Sequence, residues 1–380
     1  MSPTYDVAVA GLGAMGAAAA RELSRRGLSV VGFDRYAPPH GLGSSHGKSR
    51  IIREAYFEDP AYVPLVRHAR ALWEELERES GARLLMRTGG LMIGPPEGAL
   101  VRGALASAVA HGLPHERLDA AGIRQRVQAF HPDDAMAGVW EPNAGVLFPE
   151  AGIAAMLASA LAHGALLHVD EPVISWRADE RGVEVRTANG VYAAGRLVLA
   201  SGAWMPALLG DFTPPLVVER VALFWFEPAR DAAAFDPERF PIFILEHERD
   251  RYIYGFPRLD GRVKIARHHE GEPADPDRIR RDAAPEQAES LRATFRPFLP
   301  AADGPLREQA VCMYTNTPDG HFVLGAHPHH PRVTVVSACS GHGFKFAPAI
   351  GGIVADLVST GETAWEIGLF SPARFAARPI

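Results

Sequence analysis

The stretch DVAVAGLGAMGAAAARELSRRGLSVVGFD, residues 6–34, decides the fold of this 380-residue chain. DVAVA at 6–10 reads as a short apolar strand. GLGAMG at 11–16 is a turn, and residues 17–26 are rich in good helix formers with Gly27 as their stop. LSVVGF is a second strand, closed by Asp34. Gly11, Gly13 and Gly16 therefore form G-x-G-x-x-G between a strand and a helix. The first glycine permits the tight turn, the second lets backbone approach a pyrophosphate, and the third lets helix and strand pack closely. Ala14 and Met15 open the helix, whose free N–H groups and positive dipole end attract phosphate. Asp34 stands 18 residues after Gly16, where a carboxylate accepts hydrogen bonds from ribose hydroxyls, and Arg35 follows it. Strand, helix and acid in register specify an adenine dinucleotide.

Length and composition bound the rest. A chain this long suits two domains. It is 47% hydrophobic and 22% charged, ordinary values for a globular protein. A net charge of -6 sets up no basic field, so neither nucleic acid nor an anionic membrane is an expected partner. No apolar run reaches about 18 residues, so no membrane span is expected. The N-terminus lacks a basic stretch, and Asp6 stands where a signal peptide would carry hydrophobes. Cys312 and Cys339 are too few for a disulfide framework. A cytoplasmic location is the expectation.

Further along, residues 37–50 (APPHGLGSSHGKSR) are a long turn-rich loop, the kind that is usually functional. Residues 62–79 read as a helix with Leu65, Ala69, Leu72 and Leu76 on one face, and 83–94 as a strand pair. Short strands repeat over 165–200 and end in LASGAW, a small-residue turn at Ser201, Gly202 and Trp204. Residues 216–267 are mostly strands, 275–295 a charged helix, and 344–359 another helix. An NAD enzyme would continue with further strand–helix units after residue 34. This chain leaves for the loop and β-rich sequence, and offers a second dinucleotide turn at LASGAW, which favours FAD. The expected fold class is α/β with α+β elements. A Rossmann-type FAD-binding domain (1–85, 148–216 and 310–380) accompanies a discontinuous, mostly antiparallel-sheet substrate domain (86–147 and 217–309).

Four stretches then carry a resemblance over essentially the whole chain: SSHGKSRIIREAY at 44–56, YGFP with VKIARHH at 254–269, VCMYTNTPDGHF at 311–322, and SGHGFKF at 340–346. With them the sequence resembles the monomeric sarcosine oxidase and N-methyltryptophan oxidase family, within the D-amino-acid-oxidase-like flavoproteins. The resemblance implies an FAD-dependent amine oxidase that makes hydrogen peroxide, a small-molecule amino acid and dioxygen as its partners, and a monomer. It implies that Cys312 holds the flavin through a thioether at the 8α-methyl. Without the motif, a free cysteine is usually a small buried hydrophobe, and Cys339 is read that way. The resemblance places the substrate carboxylate between Arg53 and Lys345, whose charge and fork geometry suit it. It gives Lys264 the activation of dioxygen and sets Arg50 at the flavin. On pattern alone Lys264, between Val263 and Ile265, is a solvent-facing strand residue. Tyr254 and His268 match pocket walls, Tyr56 a position by the pocket, and His46 one near the flavin. Ser44, Ser45, Ile51, Val173, Met313, Gly341, Gly343 and Phe344 complete the expected cofactor and substrate contacts.

Departures from the sarcosine oxidase pattern fall at Arg267, at Ile244 and in the SSHGKS loop; they leave open which N-substituted amino acid reacts. N-methyltryptophan, pipecolate and fructosyl amino acids are alternatives. An NAD-dependent dehydrogenase and a non-catalytic flavin-binding protein are the readings from other classes. The HPHHP run at 327–331 reads as an exposed loop with no carboxylate to complete a metal site, so no metal is expected.

Overall fold

The computed structural model describes residues 5–375, so the outermost residues of the expected segments 1–85 and 310–380 lie outside the described residues. Tyr5–Ala10 is a strand and Ala14–Arg25 a helix, with the glycine turn between them. Val7 to Ala10 are fully buried, which is why the strand reads as a continuous apolar run and not as an alternation. It lies inside an eight-stranded sheet, parallel to Val30–Phe33 on one side and to Val191–Leu199 on the other. Leu166–His168 continues the sheet beyond Val30–Phe33, and Val333–Ser337 pairs with Val191–Leu199, both in parallel. The start, middle and end of the chain thus share one sheet. Helix Ala14–Arg25 packs its alanines on Ala347–Ser359 and Pro149–Ala162. The approach is close enough that a Cβ on Gly351 would lie 2.6 Å from Ala18 O.

The second sheet has nine strands. Its spine is the long antiparallel pair Val217–Phe226 and Leu306–Asn316. Val263–His268, Arg251–Gly255 and Ile242–Glu248 follow in antiparallel order. Ile242–Glu248 then pairs in parallel with Gly90–Gly94, Ala137–Glu141 and Glu116–Asp119 follow, and the short Glu272–Pro273 pairs with Val217–Phe226 to complete the sheet. Cys312 therefore sits on the second sheet, facing Val221 in the register. A small three-stranded sheet, Arg50–Ile52, Gly145–Leu147 and Leu85–Arg87, joins the loop after residue 37 to the rest.

Two local expectations change. Strands form at Leu85–Arg87 and Gly90–Gly94, but each pairs elsewhere and in a different sheet. The charged helix is only Pro285–Phe295. Proline at 285 suits a first helical position, and residues 275–284 before it are a loop. Among the described residues no helix is long and apolar enough to cross a membrane.

Candidate active site

A cavity of about 480 Å³ touches both sheets and the three-stranded one. Its first end is the fingerprint. Gly11 has φ +94°, and a Cβ there would fall 2.5 Å from Ala200 O, so only glycine makes this turn. Gly13, Ala14 and Met15 line the cavity. Gly16 lies behind them, where a Cβ would sit 1.7 Å from Gly11 O. Gly13 caps the helix without any side-chain hydrogen bond, leaving the helix N-terminus to face the cavity. Asp34 also lines it, with Oδ2 accepting from Leu12 N at 2.6 Å and Oδ1 from Tyr36 N at 2.9 Å. These bonds fix the carboxylate at the strand end. Val173, Ser201, Gly202 and Trp204 form the facing wall. Arg35 lies over the Trp204 ring at 5.2 Å, and Trp204 Nε1 donates to Asp277 Oδ1 at 2.8 Å. Asp277 comes from the loop expected to be helix.

The middle of the cavity is lined by Ser44, Ser45, Arg50, Ile51, Cys312 and Met313. Arg50 Nη2 donates to Ser44 O at 2.8 Å and lies 3.6 Å from Cys312 Sγ. Burial pushes the Cys312 thiol up, but the neighbouring His46 ring and the charges of Arg50 and Lys264 outweigh it and bring the thiol down to about 7. The thiol is thus easier to ionise than an ordinary cysteine. His46 is buried behind this wall and does not line the cavity. Ser44 Oγ and His46 Nε2 are buried without a hydrogen-bond partner among the described residues. Orphaned polar atoms beside a thiolate-prone cysteine and a cradle that rejects any Cβ together fit a bound dinucleotide.

At the other end two buried cations converge. Arg53, 2% exposed, and Lys345, 5% exposed, line the cavity with Gly341, Gly343 and Phe344. Arg53 Nη2 holds both oxygens of Glu58, at 2.6 and 2.5 Å, and Nη1 donates to Ala55 O at 3.0 Å. Lys345 Nζ donates to His342 O at 2.6 Å. Burial, with the Arg53 charge beside it, pulls the Lys345 ammonium down to about 7. Tyr56 does not line the cavity. Its ring stacks under Arg53 at 4.4 Å, and its hydroxyl meets His342 Nδ1 at 2.5 Å and Lys345 Nζ at 3.4 Å. Tyr254 and His268 form the side wall. Burial and the adjacent His269 keep His268 neutral, well below the usual imidazole range. Its Nδ1 lies 3.4 Å from Tyr314 OH.

Lys264 stands apart. It is 2% exposed, not solvent-facing, because the 44–50 loop covers the second face of its strand. Nζ donates to Gly47 O at 2.7 Å, Ser49 O at 3.1 Å and Ser49 Oγ at 3.2 Å, and sits over the rings of Phe256 (4.9 Å) and Trp225 (5.3 Å). Glu150 Oε1 pins the loop by accepting from Gly47 N and Lys48 N. Burial and the nearby Arg50 hold the Lys264 ammonium well below its usual range. Lys264 does not line the large cavity, whereas Phe256 does. Glu58, His342, Tyr314 and Asp277 are site residues beyond those expected from sequence. His342 and Tyr314 lie inside the SGHG and CMYT motifs, and Glu58 is five residues past Arg53; Asp277 had no signal.

The HPHHP run also differs from expectation. His327 is buried at 2%, and Asp211 does bring a carboxylate, 3.9 Å from His327 Nε2 and 3.5 Å from His330 Nε2. Both His327 nitrogens are engaged, however: Nε2 with Leu209 O at 2.8 Å and Nδ1 with His329 N at 3.2 Å. This histidine is a satisfied structural residue.

The family model described as FAD dependent oxidoreductase matches residues 6–357. The chain belongs to this family. It is therefore an FAD-dependent oxidoreductase, which removes the NAD dehydrogenase and the non-catalytic alternative. The chain is 46% identical to monomeric sarcosine oxidase of Streptomyces avermitilis, with 100% of each chain covered. It is 34% identical to N-methyl-L-tryptophan oxidase of Yersinia pestis, covering 98% of this chain and 99% of the relative. Among solved structures, NikD, an unusual amino acid oxidase, superposes with a TM-score of 0.85 at 27% identity over 98% of both chains. Glycine oxidase of Geobacillus kaustophilus has the same fold, with a TM-score of 0.84 at 22% identity over 99% of both.

Proposed function

We propose that this enzyme oxidises N-methyl or other secondary amino acids, with sarcosine as its substrate, converting sarcosine, dioxygen and water to glycine, formaldehyde and hydrogen peroxide. The observation that carries the reading is the convergence of Arg53 and Lys345, two buried cations, at the end of the FAD cavity away from the glycine turn. A pair of this kind recognises one small carboxylate, and Tyr56 and His342 hold it from behind. Clamping the carboxylate fixes where the amine end of a short amino acid must lie. That end meets Tyr254 and neutral His268, so no imidazolium repels it. The cations lower the amine's pKa and favour the neutral form that reacts.

FAD, when bound, supplies the two-electron acceptor for the C–N bond. Gly11, Gly13 and Ala14 would hold its pyrophosphate, and Asp34 a ribose. Arg50 and Cys312 would face the isoalloxazine, with Cys312 as the covalent attachment point. Lys264 is assigned to the dioxygen half-reaction, where a fixed cation stabilises negative charge forming on oxygen. The two sheets support an FAD-binding unit and a substrate unit, with Leu306–Asn316 lent to the second. Relatives named monomeric support a monomer, and the charge balance supports a cytoplasmic enzyme that binds neither nucleic acid nor membrane.

Arg267 does not favour a second substrate. It points away from the cavity, bonding Glu270, Ser290 O and Thr294 Oγ1. A peroxide assay across sarcosine, N-methyl-L-tryptophan, pipecolate and a fructosyl amino acid tests the assignment. Sarcosine should give the highest kcat/KM. Preference for a larger amine by tenfold or more would overturn it.

A further inference from the structure

Lys264 lies on a second cavity, of about 330 Å³, separate from the large one. Phe148, Trp225, Phe256, Pro257 and Leu259 supply its apolar surface, and Ser49 lies beside Lys264. Lys48, Arg83, Arg258, Asp260 and Arg262 line it as well, and Asp260 is exposed at a turn. Phe256 is the one ring that lines both cavities. On the far side of this partition lie Arg50, Cys312 and Tyr254; on the near side lies Lys264. Lys264 Nζ and Arg50 Nη1 flank the same point, 3.5 Å and 3.6 Å from a Cβ built on Gly47.

This partition separates two kinds of reactant. An amino acid needs the Arg53 and Lys345 pair, which opens only on the large cavity. A small apolar molecule needs no such pair, and the surface of Trp225, Phe256, Pro257 and Leu259 gives it apolar contact up to Lys264. Three hydrogen bonds and two aromatic faces hold Lys264 Nζ at the inner end of that path. We propose that the second cavity is the passage through which dioxygen reaches Lys264 and the flavin, and that the amine does not use it. The proposal rests on the reading of Lys264 as the group that meets dioxygen. It adds a route bounded by Trp225, Pro257 and Leu259, with Phe256 as the gate ring.

The passage can be blocked without touching the catalytic groups. Asp260→Cys places a thiol at the exposed turn, and Cys312 and Cys339 are not exposed competitors. The holoenzyme of this variant, labelled stoichiometrically with a bulky maleimide, is compared with the unlabelled variant in stopped flow. The bimolecular constant for flavin reoxidation by dioxygen should fall at least fivefold on labelling, while anaerobic reduction by sarcosine stays the same. Leu259→Trp, filling the passage from within, should reproduce the effect. Xenon under pressure, an apolar probe that does not report activity, should occupy the space between Trp225 and Phe256 in crystals. Unchanged reoxidation at full labelling, or xenon bound elsewhere but not here, would overturn the passage. Lys264→Met separates the two readings: normal reoxidation in that variant removes the role of Lys264, whereas the labelling result bears on the route alone.

Discussion

Arg53 is placed to bind the substrate carboxylate, yet its Nη2 already holds both oxygens of Glu58, and the guanidinium is 2% exposed. Burial raises the Glu58 carboxyl, but Arg53 more than offsets this and keeps it below the usual range, so it is ionised at neutral pH. A substrate carboxylate that takes the Nη2 edge of the guanidinium must displace this charge-assisted pair. Hydrogen bonds to charged groups contribute about 1.5–3 kcal/mol and neutral ones about 1 kcal/mol. Glu58→Gln keeps an acceptor but removes the charge, so the bond to be displaced weakens by about 0.5–2 kcal/mol. That is roughly 2- to 30-fold in affinity. Removing a negative charge beside the site acts in the same direction. The Kd of the holoenzyme for a short non-oxidisable carboxylate, read from the flavin absorbance, should fall by that factor. In an Arg53→Met background the same substitution should change Kd only by the smaller charge effect. An unchanged or larger Kd in the single variant, at equal flavin content, would show that Glu58 does not compete for Arg53.

Three further outcomes follow from the same geometry. Lys345 loses its proton at about 7, so Kd for that carboxylate should rise as pH increases from 6 to 9, and Lys345→Met should bind weakly with no such rise; a parallel pH profile in the variant would refute the assignment. The Cys312 thiol also ionises at about 7, and only the thiolate is nucleophilic. Covalent flavin incorporation into apoprotein should therefore accelerate through pH 7 and level off above it, and acid should release all flavin from Cys312→Ser; incorporation independent of pH would count against attachment there. Gly16→Ala would drive a Cβ to 1.7 Å from Gly11 O, a backbone atom with no freedom to move. Purified protein should then carry under a tenth of the wild-type flavin, measured by absorbance per chain.

The Rossmann half of the fold was legible because its signals are local. Glycine spacing, a buried apolar strand and an acid at the next strand end all lie within residues 6–34. The second sheet was legible in kind but not in pairing: Leu85–Arg87 and Gly90–Gly94 are strands, yet their partners lie in different sheets. No local pattern encodes a parallel partner such as Ile242–Glu248. The site shows the same limit. Arg53, Lys345, Cys312 and Tyr254 sit in motifs and line one cavity. Lys264 was ambiguous because alternation shows only that two faces differ, not that one is wet; the second face is covered by a loop more than 200 residues away in sequence. Glu58 and Asp277 escaped notice for a related reason. A carboxylate in a polar stretch looks solvated until the fold shows its partner, Arg53 in one case and Trp204 in the other. For Asp277, still exposed at 56%, sequence conceals only the partner; for Glu58 it conceals burial as well, because Glu58 in water would bind Arg53 weakly, whereas beside a guanidinium that is 2% exposed it decides how firmly the site is held before substrate arrives.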